Sequence, residues 1–156
     1  MKRLKTLKIY NSFLGEDGAK VISTMTSLEN LHLSGASVGD KGAVLLGSMH
    51  QLVKLSIPCN RVTSIGAESI SSLQNLITLN ISQNIIADTG AKFISNLKNL
   101  NELIADGIGI SNDGVEFITS MESLTALSLQ KNDDFEENTP LLISTMKQLT
   151  SLDLSN

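Results

Sequence analysis

The apolar residues of this chain follow two alternating patterns. In the stretch LKTLKIY from Leu4 to Tyr10, Leu7 and Ile9 alternate with the polar Thr6 and Lys8, the period-two pattern of a strand with one buried face. The alternation returns at Leu31/Leu33, Leu55/Ile57, Leu79/Ile81, Leu103/Ala105, Leu127/Leu129 and Leu152/Leu154. Between these strands lie segments with helical spacing. Gly18-Ala19, Gly42-Ala43, Gly66-Ala67, Gly90-Ala91 and Gly114-Val115 are followed by Ile22, Leu46, Ile70, Ile94 and Ile118. The latter are expected to point inward, and Met25, Met49, Leu73, Leu97, Met121 and Met146 to close the turn. Helices this short are marginal alone, so stacking must hold them. Glycine is a poor helix former, and its recurrence predicts close approach between adjacent coils.

Two polar positions keep the same phase. Asn60, Asn84 and Asn132 follow the strands, where an amide can bond backbone groups of the next coil. Ser12, Ala36 and Ile108 stand there instead in other repeats, which predicts local weak points. Glu16, Asp40, Ser64, Asp88 and Asn112 precede the Gly-Ala position, and all but Glu16 are good helix N-caps.

The whole unit recurs. Its first leucines are Leu4, Leu28, Leu52, Leu76, Leu100, Leu124 and Leu149, 24 apart until a final step of 25. A fixed period in this range marks a solenoid of leucine-rich repeats, with parallel strands roughly 4.8 Å apart in one curved sheet. The chain reads as one domain over 1–156, about six repeats and the opening strand of another. The extra residue lies within Asn132-Asp133-Asp134-Phe135-Glu136-Glu137, and Thr139-Pro140 replaces the Gly-Ala pair. Threonine suits a cap and proline the first helical position, so this helix is expected to start late. Met1-Lys2-Arg3-Leu4 matches Met146-Lys147-Gln148-Leu149, and the chain stops at Asn156 just after a strand. The expectation is a segment of a longer array, with uncapped termini open to end-to-end self-association.

Composition narrows this further. Hydrophobic content is 41% but aromatic content only 3%, so Leu, Ile, Val, Ala and Met must fill the core. Apolar runs are far shorter than the roughly 20 residues of a membrane span, and the amino terminus has no signal-peptide pattern. Cys59 is the only cysteine, which excludes an intrachain disulfide and favours a reducing, cytoplasmic setting. Residues 1–54 carry seven Lys/Arg against four Asp/Glu; residues 55–156 carry five against twelve. That lengthwise dipole biases partner approach. It also argues against nucleic acid, which calls for a domain-wide basic stripe.

The frame L-x-x-L-x-L-x-x-N-x-I-x-x-x-G-A-x-x-I-S-x-M resembles leucine-rich repeats of the ribonuclease-inhibitor-like class. More narrowly, it resembles the 24-residue GALA repeats of bacterial effectors and similar arrays in unicellular eukaryotes. The residues that carry this are the four Gly-Ala pairs and the near match Gly114-Val115. The resemblance implies an α/β solenoid, a right-handed coil with a parallel concave sheet and short convex helices, and a role in protein recognition. GALA effectors join such arrays to an F-box. A related expectation is therefore the substrate-recognition arm of a ubiquitin ligase or effector, acting in a host cytoplasm.

Candidate chemistry is sparse. Gly35-Ala36-Ser37-Val38-Gly39 matches the G-x-S-x-G nucleophile elbow, but its glycines fall on ordinary turn positions and only His50 follows as a base. Cys59 with His32 would be a second nucleophile pair, yet they lie at different heights of adjacent repeats. Two histidines and one cysteine fit no zinc spacing. Asp133, Asp134, Glu136 and Glu137 read as a solvated loop, since a calcium loop needs alternating ligands and a turn glycine. No catalytic residue, metal or cofactor is expected. The convex Lys20, Glu68, Lys92 and Glu116 alternate in sign and read as solvated. The outward strand residues are the candidate partner surface, centred on Lys8, Tyr10, His32, Lys54, Asn80, Glu102, Ile104 and Asp106. Lys8, His32 and Lys54 make one end basic, while Glu102, Asp106 and Asp153 make the other acidic.

Overall fold

In a computed structural model, described over residues 3–132 and 134–155, strands and helices alternate along the chain. The strands are β1 Thr6–Tyr10, β2 Asn30–Ser34, β3 Lys54–Ser56, β4 Thr78–Asn80, β5 Glu102–Ile104, β6 Ala126–Ser128 and β7 Ser151–Asp153. The helices are α1 Gly15–Ser23, α2 Gly39–Leu46, α3 Ser64–Ile70, α4 Ala87–Ile94, α5 Asn112–Thr119 and α6 Thr139–Ile143. All seven strands pair in parallel and in chain order. The register matches equivalent repeat positions, Leu31 to Leu55 to Leu79 to Leu103 to Leu127. Among the described residues, no helix is long and apolar enough to cross a membrane.

The core is a ladder of such rungs. Leu31, Leu55, Leu79, Leu103 and Leu127 are at most 3% exposed, and Ile22, Leu46, Ile70, Ile94 and Ile118 face them from the helices at 2% or less. The recurrent glycines are there for space. A Cβ on Gly42 would lie 3.2 Å from the Ala19 methyl, and one on Gly66 would lie 2.9 Å from that of Ala43. Gly90 stands in the same way 3.3 Å from Ala67. The Gly-Ala pair thus lets adjacent helices approach closely.

The asparagine ladder runs in the opposite direction to that expected. Each amide ties its coil to the preceding one. Asn84 Oδ1 accepts from the backbone N–H groups of Asn60 and Val62, both at 3.0 Å, while its Nδ2 donates to the carbonyls of Ile57 and Ile81. Asn60 serves Ala36 and Val38 likewise, and Asn132 serves Ile108 and Ile110. Nor are Ala36 and Ile108 unsatisfied gaps. Their backbone carbonyls accept from Leu14 and Gly15, and from Ile86 and Ala87, while their side chains are 1% exposed or less.

The caps also differ from expectation. Helix α3 is capped by Thr63 and α5 by Ser111, one residue before Ser64 and Asn112, which begin those helices. Asp40 and Asp88 lie inside the first helical turn and reach forward instead. Asp40 accepts from the Thr63 N–H and hydroxyl at 2.7 and 2.8 Å, and Asp88 from the same groups of Ser111 at 2.8 Å each. The Asp thus orients the hydroxyl that caps the next helix, an arrangement only the pairs 40/63 and 88/111 have the residues to make. Where glycine or alanine occupies the equivalent position, at Gly15, Gly39 and Ala87, the backbone takes a positive φ and the helix has no side-chain cap. Helix α6 starts late as expected, but after Asn138. Thr139 is its first residue, 2% exposed and bonded to Asn112, and Pro140 is the second.

Six successive coils turn through a left-handed residue at one fixed position: Asn11, Gly35, Cys59, Gln83, Gly107 and Lys131, with φ from 49° to 58°. Only two of these are glycine, so Cys59 carries a backbone strain of about 1 kcal/mol. Replacing it should show this. Cys59→Gly should raise stability by roughly 0.5–1 kcal/mol and Cys59→Val should lower it by more than that. The two changes are compared by urea titration, and equal effects would remove the strain.

Asn84→Ala leaves two buried N–H groups and two carbonyls without partners. It should cost about 2–4 kcal/mol, measured by the same titration; a loss below about 1 kcal/mol would mean the amide is dispensable.

Candidate functional site

Alternation along each strand sends one set of side chains inward and the other onto the sheet face, and parallel register turns that outer set into rows. One row runs Thr6, Asn30, Lys54, Thr78, Glu102, Ala126 and Ser151; the next runs Lys8, His32, Ser56, Asn80, Ile104, Ser128 and Asp153. Tyr10 and Asp106 belong to a third row at the strand ends. All eight candidate residues therefore lie on one face, but they form two groups.

The first group covers β1 to β3. Tyr10 stacks against His32, ring centroids 4.7 Å apart at 46°. These residues are diagonal neighbours, since Tyr10 stands opposite Ser34, and such pairs are within reach of an aromatic side chain. Lys8 and Lys54 are exposed and flank His32, and neither forms an ion pair with a described residue. Together with Thr6, Asn30 and Ser56 they line a depression of about 170 Å³. The Ser56 hydroxyl is shielded from solvent and has no hydrogen-bond partner among the described residues. Shielding and the charge of Lys8 both hold the His32 imidazole below its ordinary value.

The second group covers β5 to β7 and lines a depression of about 330 Å³ with Glu102, Ile104, Asp106, Gln130 and Asp153. Asp106 is half-buried and partly committed to structure. Its Oδ1 accepts from the Ser128 hydroxyl and from the Gln130 N–H at 3.0 Å. Asp153 accepts from the Gln130 amide and from the N–H and hydroxyl of Ser155. The Ser155 bonds, the backbone one first, hold its carboxyl below the usual range. Asn80 lies between the groups and accepts from the Ser82 N–H at 3.0 Å. Ser56, Gln130 and Asp153 were outward in the sequence pattern but absent from the candidate set. Their part depends on hydrogen bonds that spacing does not reveal.

The other constellations stay apart. Ser37 is an exposed turn residue with φ 54°. His50 lies beyond α2, whose eight residues put about 12 Å of helix between them. Cys59 is an exposed thiol at the left-handed turn. Asp134, Glu136 and Glu137 are exposed, while Asp133 lies outside the described residues. Among the described residues no group of three His, Cys, Asp or Glu is arranged for a metal. The convex face carries apolar groups beside these charges: Val21 and Val44 are 60% and 50% exposed on α1 and α2, and Lys92 lies over the Phe117 ring at 5.7 Å.

Parallel strands in unbroken order, each returned by a short helix at a fixed period, define a leucine-rich-repeat solenoid with its sheet on the concave side. The sequence agrees: leucine-rich-repeat family models match residues 50–110 and 24–47. An internalin from Listeria monocytogenes is similar in structure, with a TM-score of 0.72 and 27% identity, over 86% of this chain and 37% of that one. The plant peptide hormone receptor RGFR1, solved in complex with RGF2, shares the fold with a TM-score of 0.59 and 21% identity, over 97% of this chain and 23% of that one. The chain thus spans well under half of either protein. No curated protein matches the sequence significantly. Leucine-rich-repeat proteins are in general protein-interaction modules, typically without enzymatic activity.

His32 should titrate below 6.5. Removing the nearby cation in Lys8→Ala favours imidazolium, so the midpoint should move up. Imidazole proton shifts followed by NMR check both, and an unmoved midpoint would mean that Lys8 does not act on the ring.

Proposed function

We propose that this chain recognises a protein partner on its concave sheet. The observation that carries the reading is the presentation of Lys8, Tyr10, His32, Lys54, Glu102 and Ile104 in fixed rows on a hydrogen-bonded sheet. Their backbone is already ordered, so contact with a partner requires only side-chain ordering, which lowers the entropic cost of association. Tyr10, 54% exposed and buttressed by His32, is the anchor of the kind that dominates binding energy, and Ile104 supplies a second apolar contact.

The Gly-Ala pairs support a narrower reading as well. Their role in helix approach, as at Gly66 against Ala43, favours an array of the GALA type and, with it, the recognition arm of an effector or ubiquitin ligase. A parent reading frame that encodes an F-box or ligase domain would support that reading; one that encodes neither would remove it.

The test of the main reading is an unbiased selection of binding proteins against the intact chain, followed by affinity measurement on two variants. The concave pair Tyr10→Ala with Ile104→Lys should weaken the selected binders at least roughly tenfold, about 1.4 kcal/mol. The convex pair Lys92→Glu with Glu116→Lys should leave them unchanged. The opposite pattern would place recognition on the helices.

A further inference from the structure

The two depressions on the concave sheet differ in sign, and their separation is fixed by the strand count. The basic one centres on β2, with Lys8, His32 and Lys54 on three successive strands. The acidic one centres on β6, between Glu102 on β5 and Asp153 on β7. Four strand spacings of about 4.8 Å put the centres roughly 19 Å apart, which an extended chain covers in about six residues. Between them lie Thr78, Asn80 and Ile104, uncharged and half-buried.

The basic end is also unsatisfied. Lys8 and Lys54 carry no described carboxylate partner. A ligand carboxylate supplies what is missing, a counter-charge for two ammonium groups. At the other end Gln130 and Ser155 pre-orient Asp153, and Glu102 faces the same hollow, so a cationic side chain is the matching occupant.

We propose that the concave face binds an extended peptide segment of a partner protein, with Asp or Glu over Lys8, His32 and Lys54, and Lys or Arg about six residues away between Glu102 and Asp153. This rests on the concave face being the recognition surface and adds the chemistry of the ligand. The segment crosses the strands, Ile104 contacts its uncharged middle, and Tyr10 on β1 borders its acidic end. Fixed spacing between opposite charges is what distinguishes such a segment from a generally charged chain.

The test uses three fluorescent synthetic peptides read by anisotropy at low salt. The first has an acidic pair and a basic pair separated by five uncharged residues, the second has the same composition with the charges interleaved, and the third has basic pairs at both ends. The intact chain should bind the first at least tenfold more tightly than the other two. Lys8→Glu with Lys54→Glu should reverse the order, weakening the first peptide and favouring the third. Lys20→Glu with Lys92→Glu on the convex face, which matches the double variant's change in net charge, should change nothing. Circular dichroism confirms that the variants are folded, and charge-swap rescue by the third peptide is itself evidence of an intact site. Equal binding of the first two peptides, or no reversal with the double variant, overturns the proposal. If binders from the unbiased selection still depend on Tyr10 and Ile104 in that case, the concave reading survives and only the ligand chemistry fails. If they do not, both fail.

Discussion

A coil of 24 residues cannot enclose a core, and that constraint governs the rest of the structure. Each coil contributes one inward pair such as Leu79 and Ile81, and one helical residue such as Ile94, which become buried only when coils lie above and below. Stacking must also bring adjacent backbones close enough to share polar groups. The glycines at 42, 66 and 90 remove side chains where helices meet the alanines of the preceding coil. The amides of Asn60, Asn84 and Asn132 take up the N–H groups that the turn leaves without a strand partner. Apolar burial drives the stacking, and hydrogen bonding fixes its register.

The same constraint separates structure from recognition. Inward positions are consumed by stacking and admit little chemistry, so variation is concentrated on the outward rows. There, Thr6, Asn30, Lys54, Thr78 and Glu102 occupy one register position with four different side chains. A rigid sheet carrying unlike groups at fixed spacing suits recognition of a partner's shape and charge. Some outward groups remain structural: Asp106 braces the turn of the following coil through Ser128 and Gln130. The acidic pole available to a partner is therefore chiefly Glu102 and Asp153.

The period and the inward register were legible because burial repeats with the period of the sequence, and Leu31 through Leu127 fall where the alternation puts them. Contacts decided by backbone conformation were not legible. Cys59, Gln83 and Lys131 adopt the same left-handed turn as Gly35 and Gly107, yet nothing in their side chains announces it; the tertiary frame imposes it. Ser64 and Asn112 looked like caps by composition, but Thr63 and Ser111 hold the cap positions because Asp40 and Asp88 bind them across coils. The asparagines were recognised, while the direction of their bonds required coordinates. On the candidate face the rows were legible, whereas the Tyr10–His32 contact and the Gln130–Asp153 bond arise from neighbours 22 and 23 residues apart.

Chemical-shift mapping of the backbone amides with a natural protein partner tests the concave reading most directly. The account predicts that the largest changes fall on Thr6–Tyr10, Asn30–Ser34 and the three-residue strands from Lys54–Ser56 to Ser151–Asp153, with the helices nearly silent. Changes confined to α1 through α6, with the strands unmoved, would contradict it.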